Sequence, residues 1–187
     1  VEVCAASHVP SVSLSETVPW RNLGAAAKVV AMSQPTNTST ASETDIAAAA
    51  DRLAAAIASG TPCAPVRDLI GADDLVAAYA VQRRVDEIRR QAGAVVVGRK
   101  IGLTSVAVQQ QLGVDQPDLG VLYADMEFPA GGAIPMSRLI QPKVEAEVAF
   151  VLGADLVDGP LDSAQVRGAI DYAVAAIEIC DSRIASW

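Results

Sequence analysis

Apolar residues recur at helical spacing along the first strongly patterned part of the chain. They stand three or four positions apart, at Ile46, Ala50, Leu53 and Ile57. This spacing places side chains on one face of an α-helix. Ser42 with Asp45 three residues later resembles a box that caps a helix start, and Gly60 is a residue type that ends helices. The pattern predicts an amphipathic helix between Ser42 and Gly60.

A second helix is predicted from Asp73 or Asp74 to Gln91, and Gly93 ends the helical pattern. Its apolar positions are Leu75, Tyr79, Val85 and Ile88. The segment 61–65 between the two helices contains two prolines and is predicted to be a linker. Two helices joined by a short linker predict a helical region in this part of the chain.

Beyond these helices the pattern changes to short apolar segments separated by glycine- and proline-rich turns. Val95–Val97 is a β-branched run, and Lys143–Phe150 and Val174–Cys180 are short, apolar and bounded by polar residues. Such segments are typical of buried strands. Short helices are predicted over 105–112 and 163–170. Helices gathered in front of strands favour an α+β fold over a doubly wound sheet.

The beginning of the chain differs from the rest in complexity. Residues 1–41 show no sustained hydrophobic period, and within them Ser33–Thr40 is polar and low in complexity, which is typical of disorder. Met32 directly precedes this run and is a candidate translation start. The predicted organisation is a disordered extension over 1–41, a helical region over 42–93 and a region of strands over 94–187.

Composition and charge exclude several classes of function. The 187 residues carry a formal net charge of −8 with a pI near 4.5, so a nucleic-acid partner is not expected. No apolar run reaches the roughly 20 residues of a membrane-spanning helix, so no membrane partner is expected. The three cysteines are scattered and lack paired spacing, which is typical of a protein of the reducing cytoplasm. The only histidine is His8, which excludes a histidine-dependent hydrolase or zinc site in the body of the chain unless another chain supplies the residue.

Two glutamates flank one small residue in the first of the two acidic apolar segments. Side chains alternate along a strand, so Glu145 and Glu147 are expected on the same face. Glu178 lies inside the second segment. Like charges in an apolar setting repel and are costly to desolvate, and a hard divalent cation bound by three carboxylates would neutralise them. The alternative is an exposed edge strand with its glutamates in solvent, and the spacing alone leaves both open.

Lys100 lies between two glycines, Gly98 and Gly102, shortly after the β-branched run. Glycines let a backbone pass close to a ligand. A lysine in this position would orient a substrate carboxylate, or serve as an acid or base if burial lowers its pKa. The alternative is an ordinary solvated lysine at the end of a strand.

Two further charged residues have ordinary structural explanations. Asp118 belongs to Asp115–Gly120, whose composition predicts a turn, and a turn aspartate usually serves only the turn. Arg183 follows the segment that contains Glu178. It would act as a carboxylate clamp or as half of a surface ion pair, and the sequence does not separate these two roles.

These segments, read in order, resemble one family of metal-dependent enzymes. The resemblance is carried by Gly98–Thr104, Val108–Asp118, Gln141–Glu147, Glu178 and Asp181–Arg183. They look like the 2-keto-4-pentenoate hydratase family of the fumarylacetoacetate hydrolase superfamily, which acts in the meta-cleavage breakdown of aromatic compounds and steroids. The resemblance extends over about residues 42–187.

The resemblance implies a fold, a metal site and a reaction. The fold is an N-terminal helical region followed by the first part of a mixed β-roll. The implied residue roles are Mg²⁺ or Mn²⁺ ligands at Glu145, Glu147 and Glu178, catalysis at Lys100 and Asp118, and substrate binding at Leu103 and Arg183. The implied reaction is the addition of water to 2-hydroxypenta-2,4-dienoate, or to a substituted analogue, which gives 4-hydroxy-2-oxopentanoate.

Members of that family are typically considerably longer than this chain, so the chain is expected to be truncated at its C-terminus. One alternative function is therefore a non-catalytic subunit that is stable only with a full-length partner. Another is the sister enzyme 4-oxalocrotonate decarboxylase, which uses a similar metal face. The expected partners are a small-molecule 2-hydroxydienoate, further copies of the chain in a homo-oligomer, and a downstream aldolase or decarboxylase of the pathway.

Overall fold

The computed structural model describes residues 39–156 and 160–187 in full and residues 2–8 as backbone. Within these ranges the helices and strands are, in chain order, β1 (Glu2–His8), α1 (Glu43–Ser59), α2 (Arg67–Ile70), α3 (Leu75–Gln91), β2 (Val96–Gly102), α4 (Val106–Leu112), β3 (Asp118–Tyr123), β4 (Pro142–Leu152), α5 (Ser163–Ala169) and β5 (Ile170–Ser182). Single 3₁₀ turns cover Ala124–Met126 and Met136–Arg138. None of the described helices combines the length and the apolar character needed to cross a membrane.

The helical region is built on α1, whose predicted ends are confirmed. The Ser42 hydroxyl accepts a hydrogen bond from the backbone N–H of Asp45 at 3.1 Å, which satisfies one of the donors at the helix start. Gly60 follows the last turn with a φ of 64°, a left-handed conformation that glycine adopts without a Cβ clash. The predicted apolar face packs against α3 in a buried cluster centred on Leu53.

Helix α3 begins and ends close to the predicted positions, and its buried face overlaps only in part with the predicted one, through Val85 and Ile88. Asp74 caps the helix by accepting a hydrogen bond from the N–H of Ala77 at 2.8 Å. The residues buried against α1 are Ala77, Val81 and Val85, whereas Leu75 is exposed. A four-residue spacing forms one ridge along a helix, and this ridge packs into the alanine-rich surface of α1.

The strands form two antiparallel sheets within the described ranges, and the predicted α+β class is confirmed. Strands β2 and β3 form one sheet, and the other has the strand order β1-β5-β4. A buried cluster joins the end of β3 to β5 and consists of Tyr123, Met126, Phe128 and Ile179. This packing places the β2–β3 pair beside the strand that carries Glu178.

The predicted turn over Asp115–Gly120 ends earlier than its composition suggests. Strand β3 begins at Asp118, which pairs with Gly102 of β2. Pairing with a neighbouring strand overrides local turn preference, because the ladder hydrogen bonds and cross-strand contacts outweigh it. Asp118 is therefore a strand residue with a defined neighbour across the sheet.

Strand β4 is not the buried strand that the sequence predicted over Lys143–Phe150. Three of its apolar residues are more than half exposed, with Val144 at 67%, Val148 at 59% and Phe150 at 55%. Among the described strands, β4 lies at the edge of its sheet and pairs on one side only, with β5. In contrast, β5 is mostly buried over its second half, from Ala176 to Ser182. The prediction of burial holds for the Glu178 strand and is wrong for β4.

The beginning of the chain differs from the expected disordered extension at Glu2–His8. This segment forms β1 and pairs antiparallel with β5. An unpaired strand edge offers a row of backbone hydrogen-bonding groups, and an extended segment satisfies them. At residues 39 and 40, the Ser39 hydroxyl and the Thr40 backbone N–H each donate to the Asp74 carboxylate at 2.9 Å. Met32 and most of the low-complexity run lie outside the described residues.

Candidate active site

The three glutamates that the sequence singles out lie on one face of the β4–β5 pair. Glu145 stands directly opposite Glu178 in the antiparallel register, and Glu147 stands opposite Ala176. Alternation along each strand puts these positions on a common face, with Glu147 diagonal to Glu178. We call this surface, formed by Glu145, Glu147 and Glu178, the glutamate face.

Cys180 joins two of these glutamates in a compact cluster of potential ligand atoms. One carboxylate oxygen of Glu145, one of Glu178 and the Cys180 sulfur lie within 4.8 Å of one another. Cys180 is buried and lies two residues after Glu178, so its side chain points to the same face. Glu147 is not part of this cluster. Sequence reasoning missed Cys180, although its alternation with Glu178 along the strand was a usable signal.

The glutamates differ sharply in their exposure to solvent. The Glu178 side chain is only 7% exposed, and its Oε1 lies 3.0 Å from the Nζ of Lys100, whose side chain is 11% exposed. Glu145 and Glu147 are exposed on the edge strand. A buried carboxylate is costly unless a cation neutralises it, and Lys100 provides that charge. Lys100 is therefore not the solvated lysine that the sequence left open as an alternative.

Lys100 reaches Glu178 because its side chain lies flat across β3. Lys100 pairs with Gly120, and a Cβ at Gly120 would stand 2.6 Å from the Lys100 Cγ. Any side chain at this position would displace the lysine. Sequence reasoning singled out the glycines that flank Lys100 but missed Gly120, because the register between β2 and β3 is a tertiary feature. Of the residues described in full, a Cβ at Gly98 would meet Leu122 alone, at 3.5 Å.

Asp118 lies next to Lys100 on the same face of the β2–β3 pair. A Cβ at Gly102, which pairs with Asp118, would overlap the Asp118 Oδ1 and stand 3.2 Å from the Lys100 Nζ. The ammonium and this carboxylate oxygen therefore approach the same point. Oδ1 is buried and accepts no hydrogen bond from any residue that the structure describes. A buried acceptor without a hydrogen bond costs free energy, so a donor that reached this oxygen would be stabilised there.

Leu103 follows directly after β2 and has a left-handed backbone. Its φ is 54°, in a region that residues with a Cβ rarely occupy. Its carbonyl accepts a hydrogen bond from the Gln109 Nε2 at 2.6 Å, which ties the end of β2 to α4. Backbone strain of this kind concentrates at functional sites. Leu103, expected to bind substrate, thus lies at a strained strand end three residues after Lys100.

Arg183 is turned away from the glutamate face. It is buried, and its guanidinium donates to a carboxylate oxygen of Asp181 at 3.0 Å. Both residues line a cavity of about 180 Å³ together with Ile179, whose side chain points to the side of β5 opposite Glu178. Burial lowers the pKa of Arg183, although Asp181 acts in the opposite direction. Of the two roles left open by the sequence, the structure contains an ion pair, and that pair is buried rather than on the surface.

Relatives with curated names match this chain over most of its length, whereas no protein-family model matches it. A TodF product hydratase from Pseudomonas putida is 56% identical over 139 residues, which are 74% of this chain and 52% of that protein. A 2-keto-4-pentenoate hydratase from Burkholderia vietnamiensis is 52% identical over 145 residues, 78% of this chain and 55% of that protein. Over this range the chain is a homologue of the 2-keto-4-pentenoate hydratases. The resemblance predicted from the motifs is confirmed.

Solved structures resemble this chain in fold as well. A 4-oxalocrotonate decarboxylase from Pseudomonas putida, complexed with magnesium and adipate, matches with a TM-score of 0.73 and 31% identity, over 80% of this chain and 57% of that one. The same enzyme complexed with calcium and acetate matches with a TM-score of 0.71 and 32% identity, over 79% of this chain and 57% of that one. The chain spans about half the length of the curated relatives it matches.

Proposed function

We propose that this chain carries the metal-binding part of a hydratase of the meta-cleavage breakdown of aromatic compounds. The hydratase would add water to 2-hydroxypenta-2,4-dienoate, or to a substituted analogue, to give 4-hydroxy-2-oxopentanoate. The observation that carries the proposal is the buried Lys100–Glu178 ion pair beside Glu145, in a chain 56% identical to a hydratase. Buried charged groups of this kind cluster at catalytic sites. We further propose that the two sheets belong to the first part of a mixed β-roll.

Glu145, Glu147 and Glu178 are the proposed ligands of Mg²⁺ or Mn²⁺. The donor set fits such an ion, because hard divalent cations prefer carboxylate oxygens and two of these glutamates already present oxygens within 4.8 Å of each other. Glu147 lies diagonal to Glu178 on the same face and would complete the set. When bound, the ion would supply Lewis-acid stabilisation for the negative charge that develops on the 2-oxygen of the substrate.

Lys100 and Asp118 are the proposed catalytic residues. The Lys100 ammonium would orient the substrate carboxylate or move a proton, and Asp118 would have an accessory role beside it. Their polar atoms are shielded from solvent, which strengthens their electrostatic effect on a bound substrate. Leu103 would contact the substrate at the end of β2. Arg183 lies on the other side of β5, and its ion pair favours a structural role over substrate binding.

The two alternative functions each have one observation in their favour. The decarboxylase is supported by the structural match at 31% identity, but the hydratases match at 52% and 56%, which favours hydration. A non-catalytic subunit is supported by the span of about half of the relatives' length. The proposed partners are a small 2-hydroxydienoate, further copies of this chain, and a downstream aldolase or decarboxylase.

The proposal is tested by measuring metal binding and turnover separately. Calorimetry with Mg²⁺ and with Mn²⁺ measures affinity, and the loss of dienoate absorbance measures hydration. Glu178→Gln keeps the shape of the side chain but removes its charge, so it should weaken metal binding and lower turnover by roughly two orders of magnitude or more. Glu127→Gln is the matched control, because Glu127 is an exposed residue after a 3₁₀ turn and lies outside the glutamate face.

The outcomes separate the alternative functions. Metal-dependent loss of the dienoate supports the hydratase, whereas release of carbon dioxide from 4-oxalocrotonate supports the decarboxylase. Metal binding without either reaction supports the non-catalytic subunit. If Glu178→Gln binds Mg²⁺ as tightly as Glu127→Gln and the parent chain do, the proposed glutamate site is wrong.

A further inference from the structure

One ammonium in the candidate active site lies within reach of two buried carboxylate oxygens. The Lys100 Nζ is 3.0 Å from the Glu178 Oε1. It also lies beside the Asp118 Oδ1, because both atoms crowd the position that a Cβ would take at Gly102. This Oδ1 accepts no hydrogen bond from the described part of the chain. Among the residues described in full, Glu178 is paired with Lys100, and Asp118 offers a second carboxylate oxygen close to the same ammonium.

A divalent cation on the glutamate face would change which carboxylate attracts the ammonium. Glu145 and Glu178 bring two negative charges together, and Lys100 neutralises one of them. A cation bound to these two glutamates would replace that neutralising charge and would repel the ammonium. Asp118, whose Oδ1 lies near the ammonium and outside the glutamate face, would then be the favourable partner.

We propose that Lys100 is a transferable counter-ion, an inference that rests on the proposed metal site. Before a cation binds, Lys100 neutralises Glu178. When a cation takes Glu178, the ammonium passes to the Oδ1 of Asp118. The Lys100–Asp118 pair is thereby assembled only when the glutamates hold their cation.

The glycines on this face leave room for the transfer. The Cγ and Cδ of Lys100 lie over Gly120, 2.6 Å and 3.0 Å from the position of an added Cβ, so bare backbone supports the aliphatic part of the side chain. Gly102 leaves similar space beside the ammonium. In the proposed transfer, rotation about the terminal bonds of the lysine would carry Nζ from one carboxylate to the other, and such rotations need no movement of the backbone.

The test compares Mg²⁺ affinities by calorimetry, at constant pH, for the parent chain and four variants. Lys100→Met removes the competing ammonium, so Mg²⁺ should bind about tenfold more tightly. Asp118→Asn removes the second partner and keeps Lys100 on Glu178, so Mg²⁺ should bind more weakly. The double variant should bind as tightly as Lys100→Met alone, because Asp118 acts through Lys100.

Lys143→Met is the charge-matched control. Lys143 lies two residues before Glu145 on β4, and its ammonium is 3.6 Å from the centre of the Trp187 ring. Its loss removes the same charge close to the same face without breaking the ion pair to Glu178. The Mg²⁺ affinity of this variant should stay close to that of the parent chain.

A second measurement is independent of binding affinity. After removal of metal by a chelator, Lys100→Met should melt at a lower temperature than the parent chain, because Glu178 loses its counter-ion. Added Mg²⁺ should narrow this difference. Loss of a lysine with only a structural role would lower the melting temperature without increasing the affinity for Mg²⁺.

Three results would overturn the counter-ion transfer. If the parent chain and Lys100→Met bound Mg²⁺ with equal affinity, the counter-ion transfer would be wrong and the proposed metal site would stand. A weakening by Asp118→Asn that persists in the Lys100→Met background would show that Asp118 acts through its own charge. Failure of the parent and of every variant to bind Mg²⁺ would remove the metal site and the transfer together.

Discussion

The α1–α3 pair and strand β4 differ in how far their apolar residues are buried. Between the helices, small and medium apolar side chains are almost fully buried, among them Ala49, Ala50, Leu53, Ala77 and Val81. On β4, Val144, Val148 and Phe150 are more than half exposed. The apolar faces of α1 and α3 pack against each other. In contrast, β4 pairs on one edge only among the described strands, with β5. An amphipathic helix pair can complete its own core, but an edge strand depends on a further surface.

The candidate metal ligands also differ in how far they are buried. Glu178 lies on the buried half of β5 and has a buried counter-ion, while Glu145 and Glu147 lie on exposed β4. The glutamate face therefore spans a well-packed strand and a weakly packed one. Three experiments follow, from the largest expected effect to the smallest. The first compares the helical core with β4 directly, and the other two test single contacts in the β2–β3 pair and at the start of α3.

Leu53→Ala and Val148→Ala should differ strongly in their effect on stability. Leu53→Ala removes fully buried atoms from the helical core and should lower the free energy of unfolding by about 2–5 kcal/mol. Val148→Ala changes an exposed position on β4 and should cost less than about 0.5 kcal/mol. Urea denaturation followed by circular dichroism measures both. A large loss at Val148 would show that β4 is covered in solution.

Gly120→Ala and Gly168→Ala should change stability in opposite directions. A Cβ at Gly120 would displace Lys100 from its place over β3 and weaken the ion pair with Glu178, at a cost of about 1–3 kcal/mol. Gly168 lies in α5 and a Cβ there meets no described residue within 4 Å, so alanine should stabilise the helix by about 0.5–1 kcal/mol. Thermal and urea unfolding measure both variants. Equal, small effects would contradict the close approach of Lys100 to Gly120.

The cap of α3 should lose its contribution at acid pH. Hydrogen bonds from the backbone N–H of Ala77 and then of Thr40 lower the pKa of Asp74 from its ordinary value of 3.8 to about 2. Because the folded pKa is below the unfolded one, the stabilisation is present above about pH 4 and is lost as the pH falls towards about 2. Asp74→Asn should flatten the pH dependence of the urea midpoint in that window. A parent chain whose midpoint does not change there would contradict this assignment.

Local patterns predicted the features that depend on neighbours along the chain. Ser42 and Gly60 bound α1 as expected, because capping and the left-handed end of a helix involve only a few adjacent residues. Strand alternation placed Glu145 and Glu147 on one face, and the motif resemblance to the hydratases is confirmed by the curated relatives. The buried face of α3 was less predictable, because the surface of α1 decides which ridge packs against it.

By itself, the sequence determined the helix limits, the α+β class and the acidic and basic residues worth testing. Only the tertiary structure decided which of them meet: Glu178 is opposite Glu145, Lys100 lies across Gly120, and Arg183 is on the other side of β5. Periodicity within a helix or strand is set by bonds among residues a few positions apart. Register between distant strands is set by contacts summed over both strands, and burial is set by whatever packs on them. These long-range terms made Glu178 a buried, paired carboxylate and left Glu145 exposed to solvent.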